Sequence, residues 1–394
     1  MIEKRLIDIS RNISSGITPL RSNDEFWTDG TIPWLKTEQL GEKYIFDTNE
    51  HITEKALQEA NVKIFPENTL SIAMYGEGKT RGNVSILKRS MATNQACCNI
   101  ELDEEKVSSE YVYYFLKTQY ENLRGLSSGI RKNLNTNDIK NFVVRLPENL
   151  KTQQSIAAVL SALDKKIALN KQINARLEEI AKTLYDYWFV QFDFPDANGK
   201  PYKSSGGEMV FDETLKREIP KGWKPFKLSE LVTLSTGKED ANFATEQGIY
   251  PFFTCSEKIL KCDVYSFDTQ AILLAGNGTF SVKRFTGKFN AYQRTYVLEP
   301  KSKNLYPIVY FVIIDNVIKF TSGSRGSIIK FITRGDIENI DVVLPNDIEN
   351  MRFSEVLYTY LLQAELLEKQ NHQLTQLRDF LLPMLMNGQV SVAE

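Results

Sequence analysis

Two stretches of this chain repeat one heptad rhythm at a separation of 197 residues, and that pairing restricts the folds open to it more than any other feature. Between Thr152 and Phe189 there is no Pro or Gly, and Leu160, Leu163, Ile167, Asn170, Asn174, Leu177, Ala181, Leu184 and Trp188 recur in steps of three and four. Such spacing draws one stripe along a helix and marks a coiled-coil seam. Leu357, Tyr360, Ala364, Leu367, Asn371, Leu374, Arg378, Leu381 and Leu385 repeat the same steps near the other end. A buried Asn needs a partner that offers it a hydrogen bond, and it fixes register at a cost in stability. Asn174 and Asn371 hold corresponding positions, so the two helices are expected to pack on each other.

The segments before the two helices echo each other as well. RLIDISRNISSG is answered by FKLSELVTLSTG (Gly16 with Gly237), and SIAMYGEG by AILLAGNG (Gly76 with Gly276, Gly78 with Gly278). NQACCNIEL is answered by YQRTYVLEP, and NDIKNFVVRLP by GDIENIDVVLP; Gln95 and Gln293, like Asp138 and Asp336, lie 198 residues apart. The order is domain, helix, domain, helix. Alternating apolar runs such as TLSIAMYG, GNVSILK and ACCNIEL predict strands, and EYVYYFLKTQYENL predicts a helix. The expectation is an α+β domain over residues 1–150 and a central helix over 151–198. A linker with a second, similar domain then fills 199–346, and a distal helix 347–394. The polar, Gly- and Pro-rich run QFDFPDANGKPYKSSGGEMVFDETLKREIPKGWK reads as a connector that crosses a distance.

A two-fold repeat of domain plus helix is solved most simply by two antiparallel helices with one domain at each end. About 30 helical residues span roughly 45 Å, comparable with the 34–36 Å that separates half-sites one DNA turn apart. The net charge of −2 is uninformative until it is resolved by segment: Thr279 to Arg334 carries +8, and Lys117 to Arg145 carries +4. Local basic stretches in corresponding halves of a neutral chain point to nucleic acid.

Much chemistry is disfavoured by what the chain lacks. Only two histidines occur, His51 and His372, and Cys97, Cys98, Cys255 and Cys262 have neither CxxC spacing nor the density of a disulfide framework. No apolar run reaches the length of a membrane span and no signal-peptide core opens the sequence, so a cytoplasmic, membrane-free protein is expected. Ala73 to Thr80 (AMYGEGKT) satisfies a relaxed phosphate-loop pattern, but a true one starts a helix at its Lys. Here RGNVSILK follows, with strand-like alternation. The better reading is a glycine-permitted turn carrying Lys79 and Arg81 outward, with Gly276-Asn277-Gly278 and the following Lys283 and Arg284 as its counterpart. Two further loops combine Gly, Ser and basic residues, SSGIRKNLNTND (127–138) and TSGSRGSIIKFITRGD (321–336). Arg131 or Arg325 in them suits a guanine edge. No methyl-transfer or nuclease motif is present.

With these residues in view, the chain resembles the specificity subunits of type I restriction–modification systems. The resemblance is carried by WFVQFDFPDANGKPYKSSGGEMVFDETLKREIPKGWK (188–224), by SSGITPLRS, GTIPWLKTEQL and MATNQACC in the first half, and by LRDFLLPMLMNG (377–388) at the end. It implies two target recognition domains that each read half of a bipartite double-stranded DNA site, spaced by an antiparallel coiled coil. It further implies two modification subunits that methylate adenine with S-adenosylmethionine, and restriction subunits that use ATP and Mg, with no cofactor and no catalysis on this chain. The residues expected at DNA are Lys79, Arg81, Arg131, Lys132 and Asn133 in the first domain, and Lys283, Arg284, Arg325, Ser327 and Lys330 in the second. The seam residues, Leu160, Leu163, Ile167, Asn174, Leu177 and Leu184 with Leu357, Leu367, Asn371, Leu374 and Leu381, are expected to form the spacer and docking surface. The alternatives are a coiled-coil scaffold without DNA, and a nucleotide-binding enzyme built on Lys79.

Overall fold

A computed structural model of the chain describes residues 1–76, 80–126, 133–321, 331–348 and 351–392. It divides into two compact units, Met1–Ile167 with His372–Glu394, and Ala168–Asn371. The first domain runs through β1 (Ile2–Arg5), β2 (Ser10–Ser15), β3 (Ile32–Leu35), β4 (Tyr44–Ile45), β5 (Glu50–Ile52), α1 (Glu54–Glu59), β6 (Leu70–Ala73), β7 (Val84–Leu87), β8 (Ala92–Thr93) and β9 (Cys97–Leu102). It continues with α2 (Ser109–Thr118), α3 (Tyr120–Gly125), α4 (Thr136–Lys140) and β10 (Val143–Leu146), and the long helix α5 (Leu150–Tyr185) follows. The second domain comprises β11 (Met209–Asp212), β12 (Arg217–Pro220), β13 (Trp223–Lys227), α6 (Leu228–Leu231), β14 (Val232–Thr236), β15 (Tyr250–Phe253), β16 (Leu260–Cys262), β17 (Phe267–Ala275), β18 (Val282–Ala291) and β19 (Thr295–Pro300). After them come α7 (Leu305–Thr321), α8 (Arg334–Glu338), β20 (Asp341–Pro345) and the second long helix, α9 (Arg352–Met386).

The internal repeat of the sequence is a repeat of topology. The first unit holds a sheet ordered β2-β9-β6-β7-β4, and the second one ordered β14-β19-β17-β18-β15-β16. A parallel strand adjoins the antiparallel ones at the same place in each unit, β3 on β8 (Leu35 with Thr93) and β15 on β18 (Phe253 with Ala291), and carries an antiparallel neighbour, β5 or β16. In each unit a separate antiparallel pair, β1 with β10 or β13 with β20, joins the start of the domain to its end.

The repeated polar and glycine positions prove to be architectural. Asp138 lies in the first turn of α4, where its N–H bonds the Asn135 side chain, and Asp336 holds the same place in α8 under Thr333. Each supplies negative charge to a helix N-terminus. A Cβ on Gly16 would lie 2.0 Å from the Thr93 carbonyl oxygen, and one on Gly237 1.9 Å from that of Ala291. Gly is therefore required where the chain crosses the sheet edge.

Both long helices form as expected. Asn149 opens α5 by accepting from the Lys151 N–H (2.8 Å), and five residues of π-helix, Asp186–Val190, close it before Phe192 turns to φ +67°. Gly388, at φ +70°, ends the run after α9. Every expected seam position is buried or half-buried. Within the first unit Ile156, Ala157 and Leu160 of α5 share a core with Leu385 and Met386 of α9. Within the second, Ala181 and Tyr185 share one with Leu357 and Leu361. In both units α5 residues of rising number meet α9 residues of falling number, which is antiparallel packing. Asn371 takes its bond from Asn170 Nδ2 (3.0 Å), which also donates to Gln370 Oε1 (2.7 Å). Positions equivalent in the repeat, such as Asn174 and Asn371, are thus not the positions that bond, because an antiparallel pair runs its numbering in opposite senses.

Two expectations change. The stretch read as one helix, EYVYYFLKTQYENL, breaks at Gln119: the Thr118 hydroxyl turns back onto Phe115 O (2.7 Å) and the Gln119 N–H bonds Leu116 O (3.0 Å), tightening the last turn of α2. The run expected to be an open connector is folded onto the second unit. Its β11 and β12 pair as a hairpin, Asp193 accepts from the Ser204 N–H (2.7 Å), and Phe194 stacks on Tyr202 and Trp223 with both centroids at 4.7 Å. Polar turn composition hid aromatic residues whose spacing follows no helical or strand period.

Candidate nucleic-acid interface

In the first unit β6 and β7 are antiparallel neighbours, joined by residues 74–83. The Gly82 N–H closes this turn on Ala73 O (2.9 Å), and Gly82 adopts φ +87°. The chain enters β7, not a helix, so the arrangement that a phosphate-binding loop needs is missing. The segment before α4 lies against the same turn: the Leu134 N–H donates to Met74 O (3.1 Å), and Thr136 Oγ1 to Met74 Sδ (3.7 Å). Arg124 reaches in from α3, with Nη1 on Tyr120 Oη (2.7 Å) and on the Arg81 carbonyl (3.4 Å). Arg81 and Asn133 are both half-buried members of this edge. Lys79, Arg131 and Lys132 lie outside the described residues.

The second unit builds the same edge from β17, β18 and the segment before α8. The turn 276–281 closes through the Ala275 N–H on Ser281 O (3.0 Å), with Gly278 at φ +73°. Gly276 O accepts from the Ile332 N–H (2.8 Å), Asn277 pairs with Phe331, and Tyr296 Oη donates to Ile332 O (3.0 Å). The contact between turn and loop is therefore present twice, once in each unit. Arg325, Ser327 and Lys330 lie outside the described residues.

One expected residue is displaced. Lys283 and Arg284 were both expected to project outward from the turn, but successive strand residues point to opposite faces. Lys283 pairs across with Leu273, and Arg284 with Ile272, whose side chain belongs to the core beneath the helices. The Lys283 ammonium donates to the Ser256 carbonyl and to Ser281 Oγ (3.2 Å), and burial pushes its pKa down. The Arg284 side chain is only 6% exposed and is ion-paired with Glu178 of α5, so it is not available to DNA. Sequence reasoning also passed over residues 254–258. This loop receives Lys283 and the Thr279 hydroxyl (3.4 Å to Cys255 O), and it carries exposed Lys258 to the same edge. It follows β15 as residues 36–40 follow β3, but Lys258 stands where the first half has Leu40, so repetition marked no basic residue there.

The first unit has a buried polar network where its domain meets the helices. Lys43 Nζ donates to Ser161 Oγ of α5 (2.6 Å), Tyr114 Oη (2.9 Å) and Glu110 (3.2 Å). Tyr114 donates to Asp164 of α5 (2.5 Å), whose other oxygen accepts from Arg378 of α9 (2.9 Å). Burial alone would raise the Glu110 carboxyl, but donation from Ser161 and Tyr44 and the charge of Lys43 hold it below the ordinary value. Burial lowers the Lys43 ammonium by more than Glu110 raises it. Among the described residues no group of three or more His, Cys, Asp or Glu side chains could hold a metal ion, and no helix is long and apolar enough to cross a membrane.

Comparison with known proteins agrees with this arrangement. Residues 3–179 and 220–376 match the family described as type I restriction modification DNA specificity domain. The chain is 28% identical over 428 aligned residues to the type I restriction enzyme MjaIX specificity subunit of Methanocaldococcus jannaschii, covering 99% of this chain and 94% of that protein. It is 45% identical over 181 residues to the EcoDI specificity subunit of Escherichia coli, a match that spans 44% of this chain and 40% of that protein. In fold it resembles the crystal structure of a type I restriction–modification S subunit from M. genitalium, with TM-score 0.62 and 16% identity over 98% of this chain and 95% of that one.

Proposed function

The chain belongs to the type I restriction–modification DNA specificity family, and we propose that it reads a bipartite double-stranded DNA site, one half-site with each α+β domain. Within that family it is the DNA-recognising, non-catalytic component, with no cofactor of its own. The observation that carries the bipartite reading is the edge found once in each unit, a glycine turn held against the loop before a short capped helix. Glycine lets backbone approach a sugar–phosphate chain, and the basic residues set around it serve phosphates or guanine edges. Arg81, Asn133 and Lys283, with Lys79, Arg131, Lys132, Arg325, Ser327 and Lys330, are assigned to that contact. Arg284 is not.

Two modification subunits are proposed to dock along the helix pair. The second unit exposes Leu169, Ile173 and Ile180 of α5 and Leu362 and Leu366 of α9, while the first exposes Leu377 and Phe380. Apolar stripes of this kind on helices mark interaction surfaces. The partners would bring S-adenosylmethionine for adenine methylation, and restriction subunits would bring ATP and Mg, all in the cytoplasm. The reading is tested by DNA affinity of the assembled methylating complex at rising salt. Log affinity is expected to fall linearly with log salt, and Arg81→Ala or Lys283→Ala to lower the slope by about one each. Affinity indifferent to salt would contradict it.

A further inference from the structure

We infer that Arg284 is a positioning residue that fixes the pitch of the second recognition domain on the helix pair, and through it the gap tolerated between half-sites. The inference rests on the bipartite reading above. Arg284 lies in β18, three residues beyond the end of the turn at the DNA-facing edge, or roughly 10 Å along a strand. Its side chain points the other way, into the helices. Its guanidinium pairs with Glu178 of α5, lies 3.9 Å from Glu368 of α9 and donates to Leu361 O of α9 (3.3 Å). Tyr310 of α7 covers it, 4.6 Å from ring centroid to guanidinium carbon. One side chain of the recognition domain thus engages a carboxylate from each helix. Thr286, the next residue on the same face of β18, adds a bond to Glu365 of α9 (3.1 Å).

A buried ion pair adds little net stability, but a guanidinium left there without its partner is strongly disfavoured. The site therefore acts on geometry. A small rotation of the sheet on the helices separates Arg284 from Glu178 while leaving most apolar contacts intact, and the planar fork tolerates that less than a flexible ammonium would. The strand that carries the latch also carries the turn at DNA, so a fixed angle at one end is a fixed angle at the other.

The test uses the full chain assembled with its modification subunits, assayed for methyl transfer to duplexes with constant half-sites and a gap of the natural length or one base pair shorter or longer. Wild type is expected to prefer one gap. R284M is expected to lose roughly tenfold in gap discrimination, with R284K intermediate and half-site mismatch penalties unchanged. The double variant E178Q/E368Q keeps the arginine and neutral acceptors for it, and is expected to shift the gap profile in the same direction if R284M does not assemble. A uniform drop at every gap, or an unchanged gap profile in these variants, overturns the latch and leaves the DNA reading intact. A wild-type complex that methylates at no gap overturns both.

Discussion

The two units solve one problem with different chemistry. Each must hold a sheet against its own stretch of two helices. The first does so with Lys43, an ammonium shared among a serine, a tyrosine and a glutamate, and relayed through Tyr114 and Asp164 to Arg378. The second does so with Arg284, a single fork between carboxylates. The position answering Arg284 in the first sheet is Ile86: it pairs with Leu70 as Arg284 pairs with Ile272, Leu70 and Ile272 pairing on their other side with Ile100 and Leu298, and it is fully buried. Backbone topology and turn positions are thus held in common, while the residues that orient each domain are particular to it. A distributed hydrogen-bond network survives loss of one member better than a single fork does, so the second domain should be the more easily misaligned.

The largest expected effect tests what the units share. Leu160 and Leu357, one in each unit and both fully buried, should each cost about 2–5 kcal/mol as Ala, read by urea unfolding. A large cost in one unit and none in the other would break the symmetry of the seam. Next comes the Lys43 network. Lys43→Met leaves Glu110 among donors without its cation, and should cost about 1–3 kcal/mol after allowance for the glutamate's partial exposure, much of it recovered in K43M/E110Q. Because the Glu110 carboxyl is held below its ordinary value, its contribution is complete above that value and disappears as pH falls through the lowered one. E110Q should therefore flatten the onset of acid unfolding, measured by circular dichroism. Asn170→Ala removes two bonds to α9 and should cost about 1 kcal/mol in the same urea assay. The smallest effect concerns thiols. Burial pushes Cys97 and Cys98 up to about 12, so iodoacetamide at pH 8 should leave both unmodified in the native protein and label half-exposed Cys255 first, as read by peptide mass mapping.

Periodicity made the helices legible, since a seam is a local property of sequence, and repetition made the common sheet legible. Glycine and aspartate at matched positions disclosed the turns and capped helices because those residues meet backbone constraints that both domains share. The orientation of Arg284 was less accessible. Its neighbour Lys283 has the same charge, and only the strand register decides which of the two faces the helices. The 254–258 loop answers residues 36–40, but Lys258 stands where the first half has Leu40, so repetition marked no charge there. The aromatic packing around Phe194 was hidden by the polar turn residues that surround it.

The central claim is that each domain reads one half of a split DNA site. Its most direct test is a genome-wide map of methylated adenines, by single-molecule sequencing, in a methylation-free host that expresses this chain with a modification subunit from the same source. One motif made of two unlike half-sites and a fixed nonspecific gap is expected, absent when this chain is omitted. A continuous motif, or no new methylation from a stable purified complex, would contradict it.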